Sequence, residues 1–108
     1  MNNELHEKYN IPKSFKIGGQ DFEVRLYETL PDGSGDFGLF SYVPPVISIA
    51  TKAEGDEGEL VDLTYSQVKN TFYHEMTHAF NYMWNMQTDE LMAQCFANFM
   101  CEYMESKR

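Results

Sequence analysis

The segment Val68-Lys69-Asn70-Thr71-Phe72-Tyr73-His74-Glu75-Met76-Thr77-His78-Ala79-Phe80-Asn81-Tyr82-Met83 sets the rhythm of the C-terminal half of this chain. Val68, Phe72, Met76, Ala79, Phe80 and Met83 recur every three to four residues, which lines them along one face of an α-helix. Thr64, followed three residues later by Gln67, has the form of a capping box. The helix is therefore expected to start near Tyr65 and to run to about Asn85.

Beyond it, Thr88 is suited to cap a second helix from Asp89 to about Ser106. Its expected core-facing stripe is Met92, Cys95, Phe96, Phe99 and Tyr103. Toward the N-terminus the period drops from 3.6 to two. Phe15 to Ile17 and Phe22 to Glu28, joined by the turn signal Gly18-Gly19, read as a β-hairpin with Phe22, Val24 and Leu26 on one face. Pro31 to Asp36 is a loop. Phe37–Val43 and Val46–Ala50 form a second strand pair, in which Pro44 and Pro45 are expected to forbid continuous pairing. Glu54 to Glu59, with four acids and two glycines, reads as a solvated loop. Residues 1–14 form a polar lead-in, loose or briefly helical, ahead of one domain over 15–108. Strands first and helices second make an α+β fold, a small antiparallel sheet followed by two packed helices.

Chemistry concentrates in His74-Glu75-Met76-Thr77-His78. Residues four apart on a helix stand one turn above each other, so both imidazoles project from one face, roughly opposite the Val68, Phe72 and Met83 stripe. Two nitrogens so placed reach a single zinc ion at about 2.0–2.1 Å. Glu75 lies about 100° around the helix, where it can take a proton from an activated water without displacing a ligand. Plain hydrogen-bonded surface histidines are the ordinary alternative for such a pair.

A catalytic zinc takes a third protein ligand. The remaining histidine, His6, belongs to the polar lead-in. A longer three-histidine motif would need glycine where Asn81 stands and histidine where Trp84 stands, which excludes it. A carboxylate from the second helix is the natural substitute, and Glu90 is the candidate, with Asp89 and Glu102 as alternatives. Glu90, Gln94, Ala97 and Cys101 share one side of that helix, where small residues allow a close approach to the first. An acid in the first turn of a helix also complements the helix dipole without any metal. Tyr73, Tyr82 and Tyr103 are candidates to stabilise a developing oxyanion.

The order of hairpin, edge strand, His-Glu-x-x-His helix and glutamate-bearing helix resembles the minimal gluzincin metallopeptidases, short proteins of bacterial and phage type with a zincin-like core. Thr71 to Phe80 resembles their active helix, and the pair Glu90 and Gln94 resembles their glutamate ligand followed four residues later by a polar residue, often aspartate. The resemblance implies one zinc ion per chain held by His74, His78 and Glu90, with Glu75 as general base. It also implies a peptide substrate lying along an edge strand, Phe37–Val43 or Val46–Ala50.

Composition narrows the other classes. The 108 residues carry 17 acidic and 8 basic side chains, a formal charge of -9, which opposes nucleic-acid binding and anionic membranes. No apolar run is long enough to span a bilayer, and the N-terminus lacks a signal-peptide pattern, so the expected compartment is the cytoplasm. Cys95 and Cys101, six positions apart, point away from each other on a helix and are expected to be reduced, buried thiols. A zinc-containing protein-binding module without catalysis is the second functional reading. An acidic mimic of nucleic acid is the third, resting on charge alone.

Overall fold

A computed structural model describes residues 3–84 and 90–106. The α+β class holds: a four-stranded sheet, a two-stranded sheet and packed helices. The lead-in is not loose. It forms α1 (Asn3–Tyr9) and buries Tyr9 and Ile11 in the same core as the later elements, with His6 Nδ1 2.9 Å from the Ile11 carbonyl.

β1 (Ser14–Ile17) and β2 (Gln20–Tyr27) make the expected hairpin. Its two-residue turn needs two positive φ angles, and Gly18 and Gly19 supply them at 57° and 82°. Phe22, Val24 and Leu26 all face the core. β3 (Gly38–Tyr42) and β4 (Pro45–Ala50) follow, paired from Gly38↔Ile49 to Tyr42↔Pro45. Pairing thus runs up to the prolines, because Pro44 occupies the turn and Pro45 opens the second strand.

The sheet order is β1-β2-β4-β3. β4 inserts between β2 and β3, which makes it parallel to β2. The sheet is therefore mixed and not wholly antiparallel as expected, because two hairpins are laid side by side with β4 inward. β3 is an edge strand. After β4, β5 (Lys52–Glu54) and β6 (Leu60–Asp62) form a small hairpin closed by a Lys52–Asp62 ion pair of 3.1 Å; residues 55–59 are the largely exposed loop between them, as expected, with Glu54 alone drawn into a strand.

α2 (Tyr65–Met83) starts at the expected residue. The Thr64 hydroxyl accepts from the Gln67 N–H, and the Gln67 side chain accepts from the Thr64 N–H. Val68, Phe72 and Ala79 of α2 pack on the sheet residues Phe22, Leu26, Ile47 and Ile49. Each such large side chain contributes roughly 1.5–3 kcal/mol when fully buried. Trp84 caps the helix, lies 4.9 Å from the Phe80 ring and rests over Gly18.

α3 (Glu90–Ser106) docks chiefly on α2. Thr88 and Asp89, expected to open it, lie outside the described residues. Its packing face corrects the expected one. Ala93 and Ala97 are fully buried, with Met100, Cys101 and Met104 against the core, whereas Met92, Cys95, Phe96, Phe99 and Tyr103 are exposed. The small residues let the helix axes approach, and the bulky stripe is left outward. Cys101 is half-buried, and Cys95 is exposed where burial was expected. No helix among the described residues is long and apolar enough to cross a membrane.

Candidate metal and catalytic site

Close approach of α3 to α2 brings three sequence candidates together. His74 and His78 stand one turn apart with ring centroids 4.9 Å from each other. Glu90, in the first turn of α3, reaches both: Oε1 lies 2.8 Å from His74 Nε2 and Oε2 lies 3.2 Å from His78 Nε2. One potential ligand atom from each residue falls within 4.8 Å of the others. Two imidazole nitrogens and a carboxylate oxygen form a donor set suited to zinc. Asp89 lies outside the described residues, and Glu102 lies three turns along α3, outside this cluster.

The hydrogen bonds behind His74 sharpen the fit. Its Nδ1 lies 3.0 Å from Gln94 Oε1, and a carbonyl oxygen can only accept. Gln94 is held in that orientation because its Nε2 donates to Asn70 Oδ1 at 2.7 Å and to Asn98 Oδ1 at 2.9 Å, and Asn70 Nδ2 donates to Asn98 Oδ1 at 2.8 Å. Nδ1 therefore carries a proton, which leaves Nε2 as the ring atom turned toward the Glu90 carboxylate. With Nδ1 committed to Gln94, Nε2 is the atom left to ligate, an orientation that suits a metal held by His74, His78 and Glu90. His78 Nδ1 is buried without a hydrogen-bond partner among the described residues, and its ring orientation rests on packing and Glu90. The hydrogen bond from His74 and the nearby imidazoles hold the Glu90 carboxyl below its usual range.

Glu75 behaves differently from Glu90. It is buried between α2 and β3, and desolvation pushes its carboxyl up to about 7, reinforced by Glu90 and Asp36 and opposed by His74. Gly38 makes this packing possible. A Cβ there would meet Thr71 Cγ2 at 2.6 Å and Glu75 Cγ at 2.9 Å, so only glycine lets the strand pass.

A cleft of about 630 Å³ opens over these groups. One wall is residues 36–40, including the start of edge strand β3. Asn70, Thr71, His74, Glu75, His78 and Tyr82 of α2 line the floor, and Glu90 and Gln94 of α3 line the far side. Of the two strands considered for substrate pairing, β4 is interior and already paired on both sides, so β3 alone has an open edge here. Of the three tyrosines, only Tyr82 lines the cleft, its ring 4.1 Å from Tyr42. Tyr73 is buried beneath Lys69 and Tyr103 faces outward from α3.

Sequence reasoning missed Asn70, Asn98, Gly38 and Asp36. The two asparagines were in principle findable, since Asn70 precedes His74 by one turn and Asn98 follows Gln94 by one turn. Gly38 and Asp36 had no local signal, because their role arises from the approach of β3 to α2. Comparisons with protein-family models, with curated proteins and with solved structures find no match to this chain.

Proposed function

We propose that this protein is a cytoplasmic zinc-dependent peptidase of minimal gluzincin type, with His74, His78 and Glu90 as metal ligands and Glu75 as general base. The observation that carries this reading is the convergence of both imidazole Nε2 atoms on one Glu90 carboxylate beside a buried carboxyl near pKa 7. A zinc ion at that point would supply a Lewis acid that polarises a carbonyl and makes a water acidic near neutral pH.

The chain's own residues perform the rest. Gln94 holds the His74 tautomer and ring plane, with Asn70 and Asn98 fixing Gln94. Glu75 accepts the proton of the attacking water and returns it to the leaving amine, a shuttle that a carboxyl near pKa 7 performs well at neutral pH. The open edge of β3 aligns an extended peptide through backbone hydrogen bonds. Tyr82, the one of the three candidate tyrosines that lines the cleft, is the candidate donor to the developing oxyanion.

Elemental analysis tests the metal centre directly. About one zinc per chain is expected in wild type, lost in His78→Ala and Glu90→Ala and weakened roughly 10–100-fold in Gln94→Ala. Glu75→Gln should keep the metal and lose turnover on a peptide library. Absence of zinc from the wild-type protein after refolding with metal would end this reading. Bound zinc without any turnover would instead favour a protein-binding module that keeps a silent site.

A further inference from the structure

The aromatic stripe on the outside of α3 needs an explanation, because nothing in the metal site uses it. Phe99 and Tyr103 are 59% and 52% exposed, and their rings stack at 6.2 Å. Phe96, Met92 and Leu91 continue the surface along the helix, and Phe80 and Trp84 extend it onto the end of α2. At 150–250 Å² per large side chain, these seven residues expose on the order of 700 Å². The largest apolar patch of an ordinary monomer is about 300–600 Å², and a standard interface takes about 800 Å² from each partner. The patch is therefore of interface size.

Its shape also says what fits. Met92, Phe96, Phe99 and Tyr103 follow one another at steps of four, three and four residues, the spacing of a helix–helix seam. Beside that seam lies an apolar hollow of about 370 Å³, walled by Met76, Phe80, Met92 and Phe96, with Ile17 of the β1–β2 hairpin. Knob and hollow sit on the same face, one to two helical turns apart. A two-fold axis matches such a face to itself, each copy giving its knob and receiving the other's. The net charge of -9 opposes an anionic lipid surface as the cover. Two copies share that charge, so their association should strengthen with salt, which screens it over about 8 Å at physiological ionic strength; none of the seven residues is itself charged.

We propose that the outer face of α3 is the interface of a symmetric homodimer, in which Phe99 and Tyr103 of each copy seat in the hollow formed by Phe80, Met92 and Phe96 of the other. The partner is a second copy of this chain, and the inference stands independently of the metal reading. The two α3 helices run antiparallel, so that Tyr103 of one approaches Leu91 of the other.

Sedimentation equilibrium on the full chain from about 1 to 100 μM tests it, a range suited to interfaces of this size. The wild type should sediment at twice 12.6 kDa. Phe99→Glu and, separately, Tyr103→Lys should each weaken self-association by at least about 30-fold while the far-ultraviolet circular dichroism stays unchanged. Val61→Glu, which charges an exposed apolar residue on β6, should leave the dimer intact. Fluorescence of Trp84, the chain's single tryptophan, should shift to the blue as the dimer forms. A monomer throughout the range, or an assembly that survives both α3 substitutions, overturns the proposal.

Discussion

α2 and α3 are nearly equal in length, 19 and 17 residues, yet they are built on opposite plans. α2 is enclosed: the sheet covers one flank and α3 another, and its buried residues include the polar Lys69, Glu75, Thr77 and Asn81 as well as Val68 and Phe72. α3 has one covered face, centred on Ala93 and Ala97 with Met100, Cys101 and Met104 beside them, and one outer face that carries its aromatic side chains. An apolar stripe marks the side of a helix that gains from being covered. It does not say whether the cover belongs to the same chain.

That contrast can be broken by substitution, and the largest effect should come from the enclosed helix. Phe72→Ala removes a side chain that is only 4% exposed and should cost about 3–5 kcal/mol in urea denaturation. A loss under about 1 kcal/mol would mean that α2 is not packed as described.

Next comes Glu75 in metal-free protein. Its carboxyl sits at about 7 in the fold against about 4.3 in an unfolded chain. The folded state thus keeps a proton that the unfolded state releases. The resulting stability is greatest below the unfolded value and declines as pH rises through about 7. Relative to wild type, Glu75→Gln should gain roughly 2–3 kcal/mol of stability between pH 5 and pH 8, measured with chelator present. A difference that stays flat between those pH values would remove the buried carboxyl from the account.

Ala97→Leu enlarges a fully buried side chain on the inner face of α3 and should destabilise by about 1–3 kcal/mol. Phe99→Ser, one helical face away, should change the stability of the dilute monomer by less than about 0.5 kcal/mol. Equal costs for the two would erase the distinction between the faces.

The same contrast explains how much was legible beforehand. The capping box at Thr64 and Gln67 and the alternation of Phe22, Val24 and Leu26 are local signals, and the elements they announce form as expected. The grouping of His74 and His78 needs only a helix. Glu90 could be reached because small residues at Ala97 and Cys101 imply a close helix pair. What escaped depends on partners distant in sequence. The parallel pairing of β4 with β2 is decided by where a hairpin docks. The burial of Tyr9 depends on α2, against whose Tyr65 its ring stacks. The outward turn of the Phe96 and Phe99 stripe follows from α3 choosing its alanine side. The role of Gly38 is a vacancy for a neighbour's methyl group and carboxylate stem, which composition does not advertise.

Glu90 and Gln94 both touch His74, and both ride on the helix that holds to the rest of the protein chiefly through α2. A transient lifting of α3 would therefore withdraw a carboxylate and an amide from the imidazole in one movement, while the sheet stays folded. Openings of this sort lie between fraying and global unfolding in free energy. The integrity of the cluster is then a matter of how long one helix stays seated, and amide exchange along residues 90–106 becomes its clock. Any species that grips His74, His78 and Glu90 at once should slow that clock over the whole helix, including at residues far from the grip.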